Sequence, residues 1–295
     1  MGLNTIICFG EILWDVFPDK KILGGAPFNV ASSLKGLGAS VEFISKVGDD
    51  SPGKSILKRV TKEGISKDYI QIDYKHNTGE VIVSIDNNGS AKYKIKSNSA
   101  WDFIEPNQKA LEIVENSSAF IFGSLISRSE SKKALEAFLN VSKFNVFDLN
   151  LRPPFYQLEI LEKLMNSAQM LKFNDEELYE IAEAFGSPFN GMNQHIKFLS
   201  QRSKVETICV TKGAFGAVLY HREKWYYNSG YKVKVKDTVG AGDSFLATLV
   251  YGLIQKNDIQ QTIDEACAMG AIVAASEGAN PLVSKQDLVN FLHPK

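Results

Sequence analysis

Asp237-Thr-Val-Gly-Ala-Gly-Asp-Ser-Phe245 leads without a break into the apolar stretch 246–254. Gly240, Ala241 and Gly242 leave the backbone uncrowded, so consecutive N–H groups can face one anion. The apolar run behind them reads as a buried helix. Its N-terminus would add unpaired N–H donors and the positive end of the helix dipole. Asp243 is the unexpected residue. A carboxylate in a first helical turn is ordinarily a cap or a dipole partner. Beside an anion hole it also stands where an attacking hydroxyl must lose its proton. Phosphoryl transfer needs an electrostatic clamp and a positioned base, and this segment could supply both within four residues.

The rest of the chain reads as the scaffold such a turn requires. Apolar runs at 5–11, 41–47, 119–123, 145–149, 170–173 and 205–211 read as buried strands. Between them, 28–37, 54–63, 131–139 and 176–184 carry helical spacing, and Gly38 and Gly64 stand where a helix end takes a left-handed residue. This alternation implies an α/β fold, a doubly wound and mainly parallel sheet covered on both faces. It is expected as one domain over 1–295. The section 79–95 departs from it, with period-two alternation around Asp86-Asn-Asn-Gly-Ser90. A small antiparallel β lid built from about 12–24 and 78–100 is expected, the stretch around 20–23 pairing with the hairpin. It could close over a site or join two copies; an edge hairpin without function is the alternative.

Composition narrows the class. With 295 residues, 44% hydrophobic, 23% charged and a net charge of -1, no long-range field draws the chain to nucleic acid or to an anionic membrane. No apolar stretch approaches the ~18 residues of a membrane span, and the first ten residues lack a cationic region. Cys8, Cys209 and Cys267 are far apart with no C-x-x-C pair. Buried reduced thiols and a cytoplasmic location are expected.

A second candidate phosphate loop must be weighed. Gly48-Asp-Asp-Ser-Pro-Gly-Lys-Ser55 spells a Walker A loop and follows a strand. A Walker-type NTPase built on it is the alternative of a different class. The physics opposes it. Pro52 offers no N–H, and Asp49 and Asp50 would face a polyanion, a repulsion of ~4 kcal/mol at ~4 Å and an effective dielectric of 20.

The segment 237–245 resembles the C-terminal signature of the ribokinase-like (phosphofructokinase B-type) carbohydrate kinases. Gly24-Gly-Ala-Pro-Phe-Asn-Val-Ala31 is similar to the family's N-terminal signature, and Val47-Gly-Asp-Asp-Ser-Pro-Gly53 to its Val-Gly-x-Asp-x-x-Gly segment. The resemblance implies ATP-dependent phosphorylation of a small sugar's primary hydroxyl with Mg2+. Asp243 would be the catalytic base, with Gly240, Ala241 and Gly242 as the anion hole. It further implies sugar contacts from Asp15, Gly25, Ala26, Asn29 and Arg152, the last in Asp148-Leu-Asn-Leu-Arg152. A surface arginine is the plain alternative for Arg152. Nucleotide contacts are implied for Asn174, Thr211, Lys212, Gly213, Gly216 and Thr238, and water-mediated Mg2+ contacts for Asn174 and Glu177. Asn174-Asp-Glu-Glu177 is equally a capping box, and the two readings are compatible.

Many relatives also hold a monovalent cation, K+, which here would take Asp237, Val239 and Gly278. Relatives often place Ser after the nearby Pro, and Leu282 stands there instead, with a carbonyl but no hydroxyl. The opening Gly10-Glu-Ile-Leu-Trp-Asp15 and Ser99-Ala-Trp-Asp102 resemble bacterial fructokinases, so fructose is the expected sugar. 2-Keto-3-deoxygluconate, which needs a cation such as Arg152, and ribose are the alternatives. A homodimer through the lid is the implied assembly.

Overall fold

A computed structural model of the chain describes residues 4–85, 91–276, 281 and 283–294. Strands β1 (Ile6–Phe9), β2 (Leu13–Val16) and β3 (Lys21–Gly24) precede helix α1 (Ala26–Gly36). Next come β4 (Val41–Gly48), α2 (Ser51–Lys62), β5 (Ile70–Asp73), β6 (Gly79–Ile85) and β7 (Ala91–Ile95). Alternation then sets in, through α3 (Gln108–Glu115), β8 (Ala119–Gly123), α4 (Ser131–Val141), β9 (Asn145–Asp148), α5 (Leu158–Asn166) and β10 (Met170–Asn174). Helices α6 (Asp175–Ala184) and α7 (Met192–Ser203) lead to β11 (Thr207–Thr211), β12 (Ala217–His221) and β13 (Lys224–Asn228). The chain ends with α8 (Ala241–Ile254), α9 (Ile259–Ala275) and α10 (Lys285–Leu292).

Among the described residues the large sheet runs β13-β12-β11-β10-β9-β8-β1-β4-β5. Its strands pair in parallel from β11 through to β5, and β12 and β13 are antiparallel. Period-two alternation divides every central strand between two cores. Ile7, Phe9, Phe120, Phe122, Leu171 and Phe173 pack against α3 to α7. Ile6, Cys8, Ile121, Val146 and Met170 go to the opposite face, against α1, α2, α8 and α9. That is the doubly wound arrangement, and both Gly38 (φ 81) and Gly64 (φ 76) are left-handed as expected.

β1 lies between β4 and β8. The chain therefore leaves β1 toward one edge and later returns to its other side, a switch point at which open α/β sheets form a crevice beyond the strand ends.

The second sheet has the order β3-β2-β6-β7. It corrects the expected pairing: β3 hydrogen-bonds to β2, and β2, not β3, lies beside the β6–β7 hairpin. The β2–β6 seam is parallel, joining two antiparallel hairpins. A parallel seam between distant segments leaves no local turn signal in a sequence, whereas hairpins do. The turn 86–90 is outside the described residues.

The Walker-like stretch has a different use in this fold. Asp50 is the N-cap of α2 and accepts the Gly53 N–H at 2.7 Å, and Pro52 is in the first turn. Asp50 also takes the Thr78 N–H at 2.8 Å and its hydroxyl at 2.6 Å, while Thr78 Oγ1 accepts the Gly48 N–H at 3.0 Å. Lys54 lies outside on Asp49 at 2.9 Å. The loop ties the root of the lid to the large sheet.

Candidate active site

Gly240 is the N-cap of α8, left-handed at φ 80, a conformation that favours glycine. No side chain caps the helix. The Ala241 N–H is given to Thr238 O at 3.2 Å and the Ser244 N–H to Gly240 O at 2.9 Å. Gly242 and Asp243 fall between them, in the turn whose N–H groups a helix leaves unpaired. The donors available to an anion thus centre on Gly242 and Asp243, and Ala241 closes the turn. Val239 donates its N–H to Asp237 Oδ1 at 3.0 Å; Gly278, expected opposite them, lies outside the described residues, as does Leu282.

Across from this turn stands the start of α1. Gly25 caps it at φ 115, and any side chain there would collide with the Glu11 carbonyl. One turn in, the buried Asn29 donates from Nδ2 to Asp243 Oδ2 at 2.7 Å, linking residues 214 apart in sequence. Ala26 donates its N–H to Glu11 Oε1 at 3.2 Å. Asp15, on β2, packs its carboxylate against Gly24 so closely that a side chain at Gly24 would overlap it. The turn Gly24-Gly25-Ala26 is therefore held between two carboxylates, Glu11 from the end of β1 and Asp15 from the lid.

These carboxylates share an electrostatic signature. Burial, the largest cause, pushes Asp243 up to about 6; Asp148 adds to the rise, and Asn29, Lys172 and Arg152 oppose it. Burial likewise raises Asp15 to about 6 against the pull of Arg152. Glu11 rises to about 7, chiefly by burial, with backbone N–H groups and Arg152 opposing and Asp243 adding. Arg152 is exposed, gives one N–H to its neighbour's carbonyl, Leu151 O, at 3.0 Å, and acts on all three. Carboxylates tuned toward neutrality around one cation in a cleft are the mark of a chemical site.

Asp148 at the end of β9 and Lys172 in the middle of β10 are register partners, and their side chains follow Val146 and Met170 onto the α8 side. Lys172 Nζ lies 2.9 and 3.2 Å from the two Asp148 oxygens, both residues being buried. Asn174 caps α6 in a full capping box: its Oδ1 accepts the Glu177 N–H at 2.8 Å and its own N–H goes to Glu177 Oε2 at 2.9 Å. The other Glu177 oxygen accepts the Leu151 N–H at 2.8 Å and so holds the loop that carries Arg152.

A cavity of about 690 Å³ opens on the far side of the glycine turn. Asn174, Thr211, Gly213, Gly216, Thr238 and Gly242 all line it, so residues up to 68 positions apart in sequence are brought to one place. Lys212 is not among its lining residues. Gly216 is left-handed at φ 77 and packs against the Asn228 carbonyl, which a side chain would strike.

Sequence reasoning missed several lining groups: the segment 231–233 with Val235, and Gly270, Ala271 and Ala274 on α9. A side chain on Gly270 would crowd the Ala241 carbonyl at 3.3 Å, so small residues let α9 approach the turn. The run Ala-Cys-Ala-Met-Gly-Ala carried that signal. Glu11 and Lys172 were missed as well, though a lysine inside the apolar run Met170-Leu-Lys-Phe173 is itself a signal.

Residues 5–286 match the family model for the pfkB family carbohydrate kinases. A fructokinase from Escherichia coli is 29% identical over 301 residues, covering 95% of this chain and 96% of that protein. A fructokinase double mutant from Vibrio cholerae O395, solved with fructose, ADP and potassium ion bound, superposes with a TM-score of 0.83 at 25% identity over 99% of each chain. Aminoimidazole riboside kinase from Salmonella enterica shares the fold, with a TM-score of 0.79 at 22% identity over 98% of this chain and 100% of that one. Together with the anion turn and its carboxylates, the match over nearly the whole length leads to one conclusion: the chain belongs to the pfkB family of carbohydrate kinases and is an ATP-dependent sugar kinase.

Proposed function

We propose that the enzyme is a fructokinase in which Asp243 takes the proton of the sugar's primary hydroxyl as that oxygen attacks the γ-phosphorus of ATP. One O–P bond forms, the bond from the γ-phosphorus to the bridging oxygen breaks, ADP leaves, and the proton stays on Asp243 until solvent removes it. The observation that carries this reading is the Asn29–Asp243 contact at 2.7 Å beside the glycine turn. It fixes a carboxylate tuned to about 6 next to the donors that would receive phosphate charge. At neutral pH such a group is ionised and still basic enough to accept a proton.

Asp15, Gly25, Ala26, Asn29 and Arg152 are the proposed sugar contacts. In their support, Asp15 and Arg152 interact electrostatically and the Gly25 turn is locked onto Glu11. The nucleotide is assigned to the 690 Å³ cavity. Among the described residues no cluster of three or more His, Cys, Asp or Glu could hold a metal. Both Glu177 oxygens and Asn174 Oδ1 also accept backbone N–H groups, yet each keeps a second lone pair. That donor set fits Mg2+ held through water and phosphate oxygens, the usual habit of this ion. When bound, it would neutralise charge on the phosphates. K+ beside Asp237 and Val239 belongs to the proposal on the strength of the potassium-bound relative.

No described helix is long and apolar enough to cross a membrane. The three free cysteines are buried, which fits the cytoplasm, the compartment we assign. Pairing of two copies through the lid is part of the same reading.

A second sugar class has one observation in its favour. Arg152 is an exposed guanidinium among carboxylates, suited to a substrate that carries its own carboxylate, such as 2-keto-3-deoxygluconate. ADP release from Mg2+-ATP with fructose, ribose, 2-keto-3-deoxygluconate, tagatose and adenosine, with and without K+, separates the two. Fructose is expected to give the highest kcat/KM. Preference for 2-keto-3-deoxygluconate would move Arg152 to carboxylate recognition and overturn the assignment of the sugar.

A further inference from the structure

Negative charge dominates the floor of the site. Asp148 arrives from the end of β9, Glu177 from the first turn of α6 and Asp243 from the first turn of α8, and a bound triphosphate would add to them. Glu11 also raises the negative field at Asp243 from the end of β1. Against these groups stand the exposed Arg152 and, beneath the turn, Lys172. A side-chain carbon placed on Gly242 would come 3.6 Å from the Lys172 Nζ, so this ammonium lies directly under the second glycine of the turn. It is buried, and among the described residues only Asp148 bonds to it. It does not line the nucleotide cavity.

Packing gives no reason for a lysine here. Its neighbours in β10 are Met170, Leu171 and Phe173, and a methionine would fill the space without a charge to desolvate. The two Asp148 oxygens, at 2.9 and 3.2 Å, hold the charge that burial opposes.

We propose that Lys172 is an electrostatic positioning residue of the phosphoryl transfer. Its ammonium, clamped by Asp148 beneath the glycine turn, is the fixed positive charge against which both the ionised Asp243 carboxylate and the incoming phosphate charge are held. It acts through the turn and never touches substrate. The inference rests on Asp243 being the base. Around Asp243 the charged and polar groups are Asp148 and Lys172 from the sheet, Asn29 from α1, Glu11 beyond β1 and Arg152 from the loop after β9.

The test compares kcat/KM against pH from 5 to 9 for the wild type, Lys172→Met, Lys172→Met with Asp148→Asn, and Asp243→Asn, with thermal unfolding measured for each. Lys172→Met removes a positive charge and leaves Asp148 unopposed, and both changes push Asp243 upward. Its acid limb is expected to move up by about one pH unit, roughly a fivefold loss at pH 6 that pH 9 largely restores, with a raised KM for ATP. In the double variant both charges go, and Asp148 acts on Asp243 more strongly than Lys172 does. Its acid limb should return to the wild-type position or below, while KM for ATP stays high. A merely structural role would leave the acid limb of Lys172→Met where the wild type has it.

If Lys172→Met does not fold, the double variant, which leaves no buried charge unpaired, carries the test alone. An acid limb of Lys172→Met that stays in place, or a wild-type KM for ATP in the double variant, overturns the inference while leaving the base reading intact. Asp243→Asn turnover above a tenth of wild type overturns both.

Discussion

Asp243 is pulled in two directions, and under the proposed base role the balance sets the working pH of the enzyme. Burial and Asp148 favour the proton; Asn29, Lys172 and Arg152 favour the charge. With the balance at about 6, kcat/KM should climb tenfold per pH unit below that value and level off above it. Replacing Asn29 by Ala removes a hydrogen bond to the ionised form, so the limb should shift toward higher pH. A pH–rate profile of Asn29→Ala checks this, and a limb moved to lower pH would contradict it.

At this scale, residues in short motifs were readable from the chain. Asp243 and Gly240 announce themselves within four positions, and Gly25 and Asn29 within five. Glu11 was not readable, because a carboxylate after a strand has many uses. Its role at Ala26 exists only once α1 is folded back against β1.

The lid is an element held at two roots. At its entry, Asp50 binds Thr78, and Trp14 Nε1 donates to Pro52 O at 3.2 Å. At its exit, Arg128 forms a two-pronged pair with Asp102, both bonds 2.7 Å, and donates to Lys96 O at 2.8 Å. The guanidinium is stacked between Trp101 and Phe155, 4.1 and 4.8 Å from the ring centres. Asp102 also accepts the Ser99 N–H at 3.0 Å, capping a short 3-10 turn. Removing one partner of so buried a pair leaves the other charge uncompensated. Arg128→Met should therefore cost about 3–5 kcal/mol of stability. It should also raise KM for the sugar, because Asp15, a proposed sugar contact, rides on the lid. Denaturant unfolding and sugar titration measure the two effects; a loss under 1 kcal/mol with KM unchanged would contradict the latch.

Ser99-Ala-Trp-Asp102 stood out in the sequence only by resemblance, and its partner Arg128 was invisible there. Long-range ion pairs leave no spacing to read. Hairpins and capping boxes do, which is why α6 and the β6–β7 hairpin were legible and the β2–β6 seam was not.

Across the whole molecule, the site makes the fold less stable where the enzyme works. Glu11, Asp15 and Asp243 have folded values of about 7, 6 and 6, above those of the unfolded chain. Their stabilising contribution is complete below about pH 4 and is lost as pH rises through 6 to 7. Asp73 behaves in the opposite sense. Burial would raise it, but the Lys75 and His76 N–H groups, the His76 ring and Lys46 bring it to about 2. Its contribution is present above about pH 4 and fades as pH falls toward 2. Thermal stability is thus expected to peak near pH 4 and to fall from there to about pH 7. A melting temperature that rises steadily through pH 7 would contradict this assignment. Asp243→Asn should melt higher than wild type at pH 8, the trade of stability for function common at active sites.

The doubly wound sheet was legible because alternating apolar residues must serve two faces at once, and Ile6, Ile7, Cys8 and Phe9 do so in turn. The central claim, that Asp243 is the base of a sugar kinase, is tested most directly by ADP release from Asp243→Asn with fructose and Mg2+-ATP, alongside calorimetric binding of each. Turnover is expected to fall by at least ~10²-fold while both ligands bind within several-fold of wild type. Turnover above a tenth of wild type with binding intact would contradict it.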